Sequence, residues 1–129
     1  MTQNQSQLMP TDAELEVLQL LWEHGESSVR FINDMLNKKR EVGYTTTLKI
    51  MQIMNDKGLV VRNTDQKSHL YRAVLQENKA KTKLVNEFIS NAFNGSAKDL
   101  VMHALGNHQS TQIELDEIKA LIQSLEKKS

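Results

Sequence analysis

The chain has 129 residues, no cysteine, and 16 basic against 16 acidic side chains. That length accommodates one domain of ordinary size, or a small domain with an appendage. Without cysteine there is no disulfide framework, thiolate metal site or cysteine nucleophile, which fits a reducing compartment. No apolar run approaches the roughly 18 residues a membrane helix needs. Residues 1–9 are polar and uncharged, without the apolar core of a signal peptide, so the expected location is the cytoplasm.

Zero net charge argues by itself against nucleic-acid binding, but the charges are segregated. Residues 1–26 hold five acids and no Lys or Arg, residues 27–83 hold twelve basic residues and five acids, and residues 84–129 hold four basic residues and six acids. A basic centre between acidic ends predicts one positive face, the footprint expected for phosphate contacts.

In chain order, residues 1–9 are expected to be disordered. Thr11, with Glu14 three residues on, forms a capping box, and Leu15, Leu18, Leu21 and Trp22 follow at helical spacing until His24-Gly25. Ser27 or Ser28 caps a second helix carrying Val29, Ile32, Met35 and Leu36, which runs out in Asn37-Lys38-Lys39-Arg40. Gly43-Tyr44 breaks the pattern. Thr45 or Thr46 is then the expected cap of a third helix, with Leu48, Met51 and Met54 inward and Gly58 as its stop. The period changes to that of strands in Leu59-Val60-Val61-Arg62 and again in residues 69–74. The polar stretch 63–68 between them makes a hairpin, with Leu70 and Arg72 on one face and Tyr71 and Ala73 on the other.

From Gln76 onward the pattern is helical. Leu84, Val85, Phe88, Ile89, Ala92 and Phe93 make a wide apolar stripe that ends at Asn94-Gly95. Ser96 caps a helix with Leu100, Val101, Ala104 and Leu105 inward. Thr111 and Glu114 repeat the capping box, and Leu115, Ile118, Ile122 and Leu125 follow in a 3-4-3 spacing. Two heptads are too few for an independent coiled coil but suffice for packing on a partner. The expected class is therefore mainly α with a small β-hairpin: a winged helix-turn-helix domain over 10–77, followed by a helical dimerisation region over 78–129. The dimer contacts are expected from Leu84, Val85, Phe88, Ile89, Phe93, Leu115, Ile118, Ile122 and Leu125.

Three short helices followed by a hairpin is the order of a winged helix, in which the third helix enters the major groove with its N-terminal residues at base edges. Inward Leu48, Met51 and Met54 leave Thr45, Thr46, Lys49, Gln52 and Asp56 on other faces. Threonine, lysine and glutamine there can meet base edges or phosphate. A bare threonine run more often marks a capped surface helix, so the weight falls on its context. The hairpin adds Arg62, Lys67 and Arg72 as phosphate contacts, with the solvated, charge-blunted hairpin as the ordinary alternative. Thr47 is counted with Thr45 and Thr46 as part of the DNA-binding start.

Residues 10–18 with Trp22, and Gly43-Tyr44-Thr45-Thr46-Thr47-Leu48 through Met54-Asn55-Asp56-Lys57-Gly58-Leu59-Val60, resemble the penicillinase-repressor family of winged-helix transcriptional repressors. The resemblance covers nearly the whole chain. It implies a homodimer on an inverted-repeat DNA operator, released by a membrane-bound metalloprotease that cuts the C-terminal region. Two departures are visible. Many members carry arginine where this chain has Ile53, and the asparagine-phenylalanine bond cut in members with understood cleavage aligns with His103-Ala104. The copper-responsive branch uses paired cysteines, which this chain lacks.

An enzyme is not expected, nor a cofactor. The four histidines are scattered, and Asp99 with His103 supplies two ligands without a third. There is no glycine-rich phosphate loop and no serine elbow. The competing reading is a winged-helix protein-interaction module without specific DNA binding.

Overall fold

The computed structural model describes residues 9–65, 69–107 and 109–128. The described residues form six helices and three short strands in the order α1 (Asp12–His24), β1 (Ser27–Ser28), α2 (Val29–Leu36), α3 (Tyr44–Lys57), β2 (Val60–Asn63), β3 (Leu70–Ala73), α4 (Glu77–Ala92), α5 (Ala97–Asn107) and α6 (Gln112–Lys128). This is the mainly helical winged-helix architecture expected, with a helical C-terminal region. The disorder expected of residues 1–9 concerns positions that, apart from Met9, lie outside the described residues. The chain divides into one unit ending at Val85 and another beginning at Asn86.

In the first unit, α1 begins at the expected capping box: the Glu14 amide donates to Thr11 Oγ1 at 3.2 Å, and the Thr11 amide donates to Glu14 Oε1 at 2.9 Å. The helix stops at Gly25, whose φ of 80° lies in the left-handed region that a side chain disfavours. Its buried stripe is Val17, Leu18 and Leu21, one step round from the expected set, with Leu15 only half-buried. Glu14 joins that stripe because it has a partner for its charge, as described below.

The sheet has the order β1-β3-β2, all antiparallel. β1 was not expected: a two-residue serine strand carries no alternation to read. Ser27 pairs with Tyr71 and Ser28 with Leu70, which ties the wing to the entrance of the helix-turn-helix. Ser28 then caps α2, accepting from the Phe31 amide at 3.1 Å.

The core is continuous through α1, α2, α3 and the sheet, with Leu18, Ile32, Met51, Met54, Leu59 and Tyr71 all essentially inaccessible to solvent. At its edge the Trp22 indole N–H donates to the Leu75 carbonyl at 2.9 Å, so the half-buried ring packs on the core without stranding its donor.

In the second unit, Phe93 stacks edge-on against both Phe88 and His103, with ring centroids 5.6 and 5.4 Å apart. Asn94 (φ 53°) and Gly95 (φ 86°) turn the chain from α4 into α5. Neither α5 nor α6 has a buried residue.

Candidate nucleic-acid interface

The site is built on α3, and its position is set by the turn that precedes it. The Asn37 amide nitrogen donates to the carbonyls of Asn33 (2.7 Å) and Val42 (2.8 Å), while its oxygen accepts from the Val42 amide (3.1 Å). Asn33 lies 2.7 Å from the Thr47 hydroxyl. With its amide nitrogen turned toward α3, it also reaches the carbonyls of Val42 (3.1 Å) and Gly43 (3.2 Å). Two asparagines thus satisfy the backbone of the turn and fasten the end of α2 to the first turn of α3. Arg40, within this turn, forks onto both carboxylate oxygens of Glu16 at 2.6 Å each. That hydrogen-bonded pair holds the Glu16 carboxyl below its ordinary range, and Glu16 in turn raises Arg40.

The far end of α3 is fixed by Lys57, whose ammonium lies 2.9 Å from each oxygen of the buried Glu14. Gly58 then closes the helix in the left-handed conformation, φ 85°. α3 is therefore anchored at both ends, with its outer face free of these ties.

Two expectations at the start of α3 are corrected. The cap is Gly43, in extended conformation and with no side-chain cap bond, rather than Thr45 or Thr46. Among the described residues, no side chain caps the first-turn amides. Thr47 is not on the outer face: it is completely buried and hydrogen-bonded to Asn33. Successive residues step by 100° around a helix, so the third threonine of the run turns inward and leads the stripe Thr47, Met51, Met54. Leu48, assigned to that stripe, is only half-buried.

Thr45, Thr46, Lys49 and Gln52 are exposed on α3, and Asp56 lies in its last turn. Ile53 is 40% exposed, one turn on from Lys49. In the hairpin both Arg62 and Arg72 are exposed. The register sets Arg62 opposite Tyr71 and Arg72 opposite Val61, so the two arginines project from opposite faces of the sheet. Lys67 lies outside the described residues. Arg62 lines a cleft together with Tyr44, His69 and Arg30, and the Arg30 guanidinium sits over the Tyr44 ring, 5.9 Å from its centroid. Sequence reasoning missed Arg30. Its available signal was a cation in the first turn of α2, where it opposes the helix dipole and so is not explained by helix stability.

The family model described as the penicillinase repressor matches residues 10–127. The chain belongs to the penicillinase repressor family. It is a transcriptional repressor and not an enzyme. Similar proteins include the methicillin resistance regulatory protein MecI of Mammaliicoccus sciuri, 23% identical over 112 residues that cover 87% of the repressor and 91% of that protein. MecI of Staphylococcus aureus (strain N315) is 22% identical over the same extent. The transcriptional regulator BlaI of Mycobacterium tuberculosis is 33% identical over 64 residues, which are 49% of the repressor and 46% of that protein. No described helix is long and apolar enough to cross a membrane.

Proposed function

We propose that the repressor acts as a homodimer on an inverted-repeat DNA operator. The N-terminal half of α3 enters the major groove, and the β2–β3 hairpin lies on the sugar-phosphate backbone. The observation that carries this reading is the outer face of α3, where Thr45, Thr46, Lys49 and Gln52 are exposed while both ends of the helix are tied into the protein. Threonine, lysine and glutamine side chains can donate to and accept from base edges, and the uncapped first turn offers amide donors to phosphate. Base contacts fall to Thr45, Thr46, Lys49 and Gln52, and phosphate contacts to Arg62, Arg72 and Lys67.

Dimerisation is assigned to the helical region after the wing. Phe88, Ile122 and Leu125 are each about half exposed or more in the single chain, and a second copy would cover them together with Leu84, Val85, Ile89, Phe93, Leu115 and Ile118. Relief of repression is assigned to a membrane-bound metalloprotease. The His103-Ala104 bond lies inside α5, so cleavage there requires that helix to open locally.

Selecting bound sequences from a random duplex pool tests the reading. Recovery of an inverted repeat, with affinity falling steeply as salt rises, is the expected result. Flat salt dependence with no enriched sequence would replace it by the protein-interaction module.

A further inference from the structure

The start of α2, the start of α3 and the hairpin enclose a cleft of about 460 Å³, lined on its walls by Arg30, Tyr44, Leu48, Arg62, His69 and Tyr71. Its volume is in the range, about 300–1,000 Å³, that takes ligands the size of a nucleotide. None of the described lining residues is acidic. Among the described residues neither arginine has an ion-pair partner, whereas Arg40 and Lys57 are both committed to carboxylates. Two uncompensated guanidiniums converging on one cleft repel each other, an arrangement that an anion between them would relieve. The Tyr44 ring beneath Arg30 restricts that long side chain, so less rotamer freedom is lost when it binds.

We infer that this cleft is a phosphate clamp: Arg30 from α2 and Arg62 from β2 grip the phosphodiester backbone of the duplex where it passes between the helix-turn-helix and the wing, with Tyr44 as the platform that orients Arg30. The inference rests on the DNA reading above. It adds a phosphate contact from α2 that fixes the register of α3 without reading sequence. Duplex backbone is favoured over a free phosphorylated molecule as the source of the phosphate because Tyr44 is followed directly by Thr45 and Thr46, so the cleft is continuous with the base-reading face.

The test is a salt series of full-chain binding to a duplex recovered by selection and to a scrambled duplex, for the wild type, Arg30→Gln, Arg30→Lys and Arg62→Gln. Loss of one phosphate contact reduces the slope of log K against log salt by about 0.9, which at 0.1 M salt corresponds to about eightfold weaker binding. Arg30→Gln and Arg62→Gln are each expected to show that loss equally on both duplexes, with melting temperatures no lower than the wild type's, and Arg30→Lys is expected to keep the wild-type slope. A wild-type slope for Arg30→Gln, beside a steep slope for the wild type itself, would overturn the clamp and leave the DNA reading standing. So would a loss confined to the selected duplex, which marks a base contact. No salt dependence in the wild type would overturn the DNA reading and the clamp with it. Inorganic pyrophosphate bound by the wild type but not by Arg30→Gln, with the duplex slope unaltered, would overturn the duplex as the source of the phosphate.

Discussion

Thr45, Thr46 and Thr47 are adjacent and chemically identical, yet they meet different surroundings. The first two are exposed and the third is buried against Asn33. Thr47→Val keeps the shape and removes the hydroxyl, leaving the amide of Asn33 short of a partner, and is expected to destabilise the fold by about 1–3 kcal/mol in urea unfolding. Thr45→Ala and Thr46→Ala are expected to stay within about 0.5 kcal/mol of wild type in the same assay while weakening operator binding. A stability loss in either as large as that of Thr47→Val would contradict this division. Ile53 is the complementary case, an apolar side chain on an otherwise polar outer face. Ile53→Arg should add about one unit to the salt slope of duplex binding, because it places a new cation on the face of α3 that is proposed to meet the duplex.

At the scale of elements, two ion pairs hold the helices that present the site. Glu14–Lys57 joins the start of α1 to the end of α3, with the carboxylate buried and the lysine about a third exposed, 34%. Breaking a fully buried pair costs about 3–5 kcal/mol. With the lysine partly in water, Lys57→Met is expected to cost about 1–3 kcal/mol. Glu14→Gln combined with Lys57→Met should cost less than the sum of the two single changes, because either one already breaks the pair, so strict additivity in urea unfolding would show that the pair contributes nothing. Glu16–Arg40 joins α1 to the turn before α3, and there the expectation concerns pH. The arginine lowers the Glu16 carboxyl from its ordinary value of 4.5, so the folded state holds its proton less tightly than the unfolded state does. The stabilisation is fully present above the ordinary value and is lost as pH falls through the lowered one. Thermal melts of wild type and Glu16→Gln should therefore differ at pH 7 and converge in acid. A gap that is constant down to pH 2 would assign the difference to something other than this titration.

For the whole molecule, the question is what covers the C-terminal helices. α5 and α6 are 11 and 17 residues long and have no buried residue in the single chain, and short helices without tertiary burial are marginal in water. The proposed dimer supplies that burial and sets two α3 helices on one operator as a linked pair. Ile122→Glu with Leu125→Glu in the full chain should shift sedimentation from dimer to monomer and weaken operator binding, with the winged-helix unit still folded. A double variant that remains dimeric would remove α6 from the interface.

The sequence by itself determined the order of the helices and the hairpin, the capping box at Thr11, the glycine stops at Gly25 and Gly58, and the family, because these rest on local chemistry and on short-range spacings. Only the tertiary structure decided which way each side chain faces once the helix starts are fixed. α3 begins at Tyr44 rather than after a threonine cap, and its packing on α2, with the Thr47 hydroxyl on Asn33, turns Thr47 inward and leaves Leu48 at the edge of the core. β1 owes its existence to pairing with β3 across more than forty residues, and Arg30 joins the site only through the cleft that pairing closes. Contacts between residues distant in the chain leave no periodic signal at either end. The threonine helix was legible as a motif, but its division into an exposed face and a buried anchor was not.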